Sequence, residues 1–250
     1  MTNNQQHDLG KVPAITLLFW IIKIAATTLG ETGGDSLSMS MQLGYLVSTG
    51  IFSLIFFVAV FAQIRAEHFH PWLYWTTIVA TTTVGTTLAD FIDRSLGIGY
   101  LGGTLLLVTL LLASFAVWYK QTGAIVSNGV TSGKTEIYYW ITIMFSQTLG
   151  TAIGDWIADA TPLGYSGSAV VFSALLLIVI ACYLWTAISR TTLFWIAFVL
   201  TRPLGAVVGD FFDKPVEAGG LAFSRYSASL ILIAFITLSL IIFRQKPARI

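Results

Sequence analysis

The sequence predicts an all-α, polytopic membrane protein whose eight transmembrane helices are built from four parallel two-helix repeats. Only 10% of the 250 residues are charged and 56% are hydrophobic, against roughly 25% charged in a soluble domain. Such a chain cannot clothe a soluble surface. Runs such as Gly99 to Tyr119 and Leu221 to Phe243 are nearly free of charge, and about 20 apolar residues are what a helix needs to cross a bilayer. The short alternating strands of a membrane barrel are absent. Four times, a tryptophan is followed ten residues on by glycine and fifteen on by aspartate: Trp20, Gly30, Asp35; Trp75, Gly85, Asp90; Trp140, Gly150, Asp155; Trp195, Gly205, Asp210. Self-similarity of this kind marks one supersecondary unit copied along the chain.

The expected helices, in order, are Val12–Gly34, Leu43–Ile64, Pro71–Ile92, Gly99–Tyr119, Glu136–Ile157, Leu163–Ala187, Thr191–Phe212 and Leu221–Phe243. The first follows twelve polar residues. It has no small-residue cleavage site and Lys23 interrupts it, so it reads as a span and not a signal peptide. The odd-numbered helices carry the Trp, Gly and Asp positions, while the even-numbered ones are nearly uniform in Leu, Ile, Val and Phe. The sixth holds Cys182, the single cysteine, which excludes an intrachain disulfide and is expected to pack. In the seventh, Pro203 is expected to kink the helix and free backbone carbonyls. Residues 1–250 thus form one transmembrane domain, with repeats at about 13–65, 71–120, 136–188 and 191–244 and a polar linker at 121–135. Each repeat supplies two spans, so all four keep one orientation, related by axes along the membrane normal. A pseudo-fourfold or paired two-fold arrangement follows.

Loop charges set the expected orientation. Lys11, Arg65, Lys120, Lys134, Arg190, Arg244, Lys246 and Arg249 fall on one side, and Arg94, Lys214 and Arg225 on the other. The richer side is cytoplasmic by the positive-inside rule, with both termini inside. Trp72, Trp75, Trp118, Trp140, Trp185 and Trp195 lie toward that side, as an aromatic belt would. The acids lie at the other end. From Trp to Asp is about 22 Å of helix rise, which puts the aspartates in the outer third of the bilayer or at its boundary.

Two faces recur on the odd helices. One bears small residues four apart, Gly30 and Gly34, Gly85 and Ala89, Gly150 and Gly154, Gly205 and Gly209, which let helices approach closely in lipid. The other is a polar ladder at three, seven, eleven and fifteen residues after each Trp. Its members are Lys23, Thr27, Glu31 and Asp35; Ile78, Thr82, Thr86 and Asp90; Ile143, Gln147, Thr151 and Asp155; Phe198, Arg202, Ala206 and Asp210. Thr28, Thr83 and Thr148 lie beside them. A polar stripe is untenable against lipid, so the odd helices should face one another inside an even-helix shell.

Five ladder acids against Lys23 and Arg202 leave three negative charges in excess if all ionise, which is expensive in a low-dielectric interior. Protons or a bound cation would relieve the cost. Carboxylate and threonine oxygens form a hard environment suited to Mg²⁺, Ca²⁺ or Mn²⁺. The expected metal ligands are Asp35, Asp90, Asp155 and Asp210, assisted by Glu31, Thr27, Thr82, Thr86, Thr151 and Gln147, with Lys23 and Arg202 tuning occupancy. No cofactor beyond a bound divalent cation is expected.

Other signals carry less. Thr81-Thr82-Thr83-Val84-Gly85 has the look of a potassium filter but lies inside a continuous span. Glu67, His68 and His70 could capture a metal, though an interfacial loop is the simpler reading. Asp93, Asp159 and Asp213 are expected to cap helices, the alternative being that they attract cations. His7, His68 and His70 are the only histidines, and no nucleophile–base set, phosphate loop or dinucleotide fingerprint occurs. An enzyme is not expected. A net charge of +1 gives no reason to expect a nucleic-acid partner.

The four tandem two-span units, each with its Trp and a Gly-x4-Asp core, resemble the bacterial family named for its DUF347 repeat, from Leu18 to Phe243. The resemblance implies a bacterial inner-membrane protein. Glu31-Thr32-Gly33-Gly34-Asp35-Ser36 also looks like the acid-x-Gly-Asp motif of manganese and calcium exporters built from two three-span repeats, although it occurs once here. The expected function is transport of a small cation, divalent more than monovalent and exchanged for protons, through an acidic cavity opening outward. The expected partners are the lipid bilayer and the cation. Alternatives are a non-transporting scaffold or sensor with structurally paired acids and, as a lesser one, an ion channel.

Overall fold

The computed structural model describes residues 9–128, 130 and 133–249; His7 and Ile250 lie outside them. Among the described residues the chain forms eight long α-helices: α1 (Leu17–Asp35), α2 (Gly44–Arg65), α3 (Pro71–Asp90), α4 (Gly99–Thr122), α5 (Gly133–Ala160), α6 (Gly164–Trp185), α7 (Arg190–Asp213) and α8 (Arg225–Ile242). Strand β1 (Leu9–Pro13) pairs antiparallel with β2 (Pro247–Arg249). Five helices, α2, α4, α6, α7 and α8, are long and apolar enough to cross a membrane. The other three, α1, α3 and α5, have 19, 20 and 28 residues but are diluted by threonine, glycine and acid.

Local chemistry sets the helix ends. Thr16 caps α1 by accepting from the Phe19 amide at 3.2 Å, and Pro71 opens α3, where its missing N–H costs nothing. At their acidic ends α1 and α3 widen into π turns, Ser36–Ser40 and Phe91–Ser95. The chain must then reverse. It does so through a glycine twenty-four residues after each Trp, namely Gly44, Gly99, Gly164 and Gly219, with φ of +75°, +70°, +58° and +85°. Side chains with a Cβ are penalised in that left-handed region. The repeat therefore extends past its aspartate to the turn.

Tertiary packing uses both faces of the odd helices. α1 packs on α3 and α7, and α5 packs on the same two, closing a ring in the order α1, α3, α5, α7. The small-residue face of each helix receives the ladder of the next. A Cβ on Gly30 would overlap Thr82, one on Gly150 would overlap Arg202, and one on Gly205 would overlap Thr27. On Gly85 it would stand 3.0 Å from Gln147, on Gly34 3.0 Å from Thr86, and on Gly209 2.8 Å from Glu31. Glycine at these places permits backbone approach that no other residue allows.

Each even helix lies against the odd helix of the following repeat: α2 on α3, α4 on α5, α6 on α7, and α8 back on α1. Outward faces of this shell are apolar, with Leu54, Phe57, Leu105, Leu177 and Ile241 all more than half exposed. In the most apolar stretch of α7, 72% is buried, against 11% in α6. Polar inside and apolar outside is the pattern of a protein dissolved in lipid.

The Trp end is closed. Trp75, Trp118, Trp140 and Trp195 are buried and pack with Tyr74, Tyr139, Phe19 and Phe194 in edge-on and tilted contacts. Only Trp72 and Trp185 of the expected belt are strongly exposed. The other four form an internal plug, because they sit on ring-facing sides of their helices. Beneath them, Val12 of β1, Val130 of the linker and Ala248 of β2 join the same core. The Lys11 amide donates to Val130 O at 3.0 Å, and the Ala14 amide to Lys246 O at 2.9 Å. The polar first residues and the polar linker thus contribute apolar side chains to a cover over the bundle. Residues 129, 131 and 132 of that linker lie outside the described ones.

Candidate functional site

All sixteen ladder residues are buried, each 3% exposed or less. The hydroxyls are largely committed to backbone. Thr27 Oγ1 donates to Ile24 O (2.8 Å) or Thr201 O (3.2 Å), and Thr82 Oγ1 to Val79 O (2.9 Å) or Ala26 O (3.2 Å). Thr86 Oγ1 reaches Gly30 O at 3.0 Å, and Thr151 Oγ1 reaches Gln147 O at 3.4 Å. Thr27, Thr82 and Thr86 each reach a carbonyl of a neighbouring helix, Thr151 only one of its own, and each oxygen keeps acceptor capacity. Thr28, Thr83 and Thr148 bond back to their own helices.

Arg202 fills the middle of the ring. Its Nη1 lies 3.0 Å from Glu31 Oε2, and its Nη2 donates to Thr86 Oγ1 at 2.6 Å and Thr82 O at 3.4 Å. One guidinium from α7 thereby ties α1 to α3. α7 is continuous through Pro203, and the Thr201 carbonyl accepts from Thr27. Lys23 is different. It is fully buried, its Nζ has no hydrogen-bond partner, and it lies 4.1 Å from the centre of the Phe198 ring. A cation–π contact is worth about 2 kcal/mol when desolvated, less than the several kcal/mol of burying an unpaired ion.

The expected quartet of aspartates divides in two. Asp35 and Asp210 meet with Glu31, where one oxygen from each lies within 4.8 Å of the other two. Asp90 and Asp155 meet through Arg94, whose guanidinium is 3.2 Å from Asp90 and 3.0 Å from Asp155. Lys214 does the same for the first pair, at 3.3 Å from Asp35 and 3.1 Å from Asp210. Arg225 stands 3.6 Å from Asp35 and 2.5 Å from Asp213. An open acidic cavity was expected; instead Arg94, Lys214 and Arg225 reach into the acids from the segments that follow the odd helices.

Acids at these positions need such partners. They sit in the last turns of the odd helices, where unpaired carbonyls already carry about half a negative charge per helix. Burial works against the charge on Lys214, but Asp210, Asp35, Asp155 and Asp213 outweigh it and hold its ammonium above the usual lysine range. Arg94 is held up likewise by Asp90 and Asp155 against its burial. Asp93 has only Arg94 to offset burial, which pushes it up to about 7.

Asp93, Asp159 and Asp213 are not helix caps. Asp213 pairs with Arg225, and Asp159 accepts from Tyr100 Oη (2.6 Å) and Tyr165 Oη (2.9 Å). Tyr45, on α2, accepts from Arg94 at 3.3 Å. The sequence expectations gave Tyr45, Tyr100 and Tyr165 no role and took Arg94 and Lys214 only as loop charges. Their signals were present: Asp90 to Arg94 and Asp210 to Lys214 are one helical turn apart, and Gly-Tyr opens α2, α4 and α6 at Gly44-Tyr45, Gly99-Tyr100 and Gly164-Tyr165. Glu67, His68 and His70 are exposed, and the one potential metal cluster among the described residues is Glu31, Asp35 and Asp210.

Around the acidic end, Glu31, Asp35, Asp90, Asp93, Asp155, Asp159, Asp210 and Asp213 face four fixed cations, Arg94, Arg202, Lys214 and Arg225. With all of these ionised, negative charge is in excess, which favours a cation or protons at this end. No curated protein and no solved structure matches the chain. Four copies of the Repeat of Unknown Function (DUF347) match residues 18–69, 73–124, 138–189 and 193–246, dividing the chain at the joints that the Trp-to-Asp units mark, and it belongs to that family.

Proposed function

We propose that this protein moves a small cation, divalent in preference and exchanged for protons, across a bacterial inner membrane. The observation that carries the reading is the convergence of Glu31, Asp35 and Asp210, three buried carboxylates with oxygens within 4.8 Å of one another. Oxygen ligands at that separation suit a hard divalent ion. Lys214 and Arg225 occupy the cation's place in the resting state, and an entering ion displaces the Lys214 ammonium. Asp90 and Asp155, held by Arg94, form a second stage of the same kind, so the two bridges are related as by a two-fold axis within a pseudo-fourfold ring.

All eight helices cross the membrane in this reading. Strand pairing of β1 with β2 supports an even number of crossings, since it holds both ends of the chain at the Trp end. The Lys and Arg distribution makes that end cytoplasmic. The three basic residues at the opposite end are spent on acids, which leaves that end negative and the orientation consistent. A second reading, a membrane scaffold, is favoured by the basic partner that each of Glu31, Asp35, Asp90, Asp155 and Asp210 possesses.

Flux decides between them. Purified protein in liposomes is assayed for Mn²⁺ or Ca²⁺ uptake against an imposed pH gradient. The quadruple variant Asp35→Asn, Asp90→Asn, Asp155→Asn, Asp210→Asn keeps shape and removes charge. Transport predicts flux in the wild type and none in the folded variant. Equal flux in both rejects the site but not transport, and no flux in either leaves the scaffold reading standing.

A further inference from the structure

Between the aromatic plug and Arg202, the ring holds polar atoms that nothing in the protein satisfies. Lys23 Nζ, Gln147 Nε2, Gln147 Oε1 and Arg202 Nε are buried without hydrogen-bond partners, on side chains of zero exposure. They occupy adjacent ladder rungs, Lys23 three residues after its Trp, Gln147 and Arg202 seven after theirs. Arg202 packs against Gly150, one turn from Gln147, and reaches Thr82 O across the ring. Buried polar groups are almost always partnered, so orphans on neighbouring rungs of one closed ring point to a bound water or ion. The inventory indicates which. Lys23 offers three N–H donors, Gln147 two and Arg202 Nε one, against a single orphan acceptor, Gln147 Oε1. The set is rich in donors; Glu31 pairs Arg202, so its one uncompensated cation would be the Lys23 ammonium, which a bound anion would hold.

No protein acid serves it. Glu31 lies eight residues beyond Lys23 on the same helix, about 12 Å of rise, and Arg202 and Thr86 already hold it. On the same rungs, α3 offers Ile78 and Thr82 and α5 offers Ile143 beside Gln147, none of them charged. We propose that a compact monovalent anion of halide size binds here, on Lys23 with the Gln147 amide and the Arg202 Nε–H. Compactness follows from the surroundings: Ile78, Ile143 and Phe198, on the rung of Lys23, are fully buried, and Arg202 is tied to Glu31 and Thr86. This site shares Arg202 with the acidic cluster and does not rest on the cation-transport reading.

The test is unfolding of the purified protein in detergent, titrated with sodium chloride or sodium bromide against sodium gluconate at constant ionic strength. Chloride and bromide should raise the midpoint saturably, and gluconate should not. Bromide should also quench buried tryptophan fluorescence with a saturable component, since the Trp layer lies one turn away. Lys23→Met removes charge and donors together and should abolish both effects. Lys23→Arg should keep them, and Gln147→Leu should weaken them. Identical curves in chloride and gluconate overturn the proposal, as does a chloride response that survives Lys23→Met. Loss of cation flux with the halide response intact would overturn only the transport reading.

Discussion

Gly205 on α7 and Thr27 on α1 share one contact that a methyl group would destroy, because a Cβ on Gly205 would overlap the threonine side chain. This contact joins the last repeat to the first, and it repeats the fit of Gly30 to Thr82, Gly85 to Gln147 and Gly150 to Arg202. The ring closes by the same rule that builds it.

Gly205→Ala should therefore destabilise the bundle by about 1–3 kcal/mol, the range for forcing a methyl into a filled core. Gly33→Ala is the control. It lies on the same type of helix but meets nothing within 4 Å, so its stability should match the wild type or exceed it slightly, as alanine is the better helix former. Denaturation in detergent micelles compares them, and equal losses in both would remove the close-packing account.

The Arg202–Glu31 pair is fully buried at 3.0 Å. Arg202→Met leaves an unpaired carboxylate, and Glu31→Gln leaves an unpaired guanidinium; each should cost about 3–5 kcal/mol. The double variant should cost much less than the two together. Additive losses in a double-mutant cycle would show that the pair is not coupled.

Asp93 gives a pH signature. Its carboxyl is raised from 3.8 to about 7 by burial, which Arg94 only partly offsets. The folded protein then holds a proton that the unfolded chain has released, so stability falls as pH climbs from about 4 to 7 and levels off above. Asp93→Asn should flatten that part of the profile and be relatively more stable at pH 8 than at pH 4. A parallel profile in wild type and variant would assign the dependence to other groups.

What could be read in advance followed from periodicity. The Trp-to-Asp register and helix pitch place sixteen ladder residues on one line, and all are buried. The pairing of each even helix with the next odd helix was beyond reach, since a uniformly apolar helix such as α6 has no face to favour one neighbour. Arg94 and Lys214 were sorted by loop, as charges on a side of the membrane, which hid their one-turn spacing from Asp90 and Asp210. The cover at the Trp end depends on Leu9–Pro13 meeting Pro247–Arg249, and two strands this short carry no sequence signal when their partner lies at the far end of the chain.

Lys214 offers the sharpest test of what the acids are for. Its ammonium lies 3.3 Å from Asp35 and 3.1 Å from Asp210, beside the carboxylate of Glu31. Lys214→Met removes that charge and leaves Arg225 and Arg202 in place. Without metal, Asp35 and Asp210 then repel and the melting temperature should fall. If the three carboxylates can hold a divalent ion, Ca²⁺ or Mn²⁺ should restore it saturably. Binding to the folded state at a hundredfold excess over Kd adds about 2.7 kcal/mol, and a chain of this size gains about 2–4 °C for each kcal/mol. The wild type, with Lys214 competing for the same oxygens, should respond only at higher metal concentration. Asp35→Asn added to Lys214→Met should relieve the repulsion and weaken the metal response together. A Lys214→Met protein that melts low and ignores both metals would mean that Lys214 is a structural counter-ion and that the three acids hold no divalent ion.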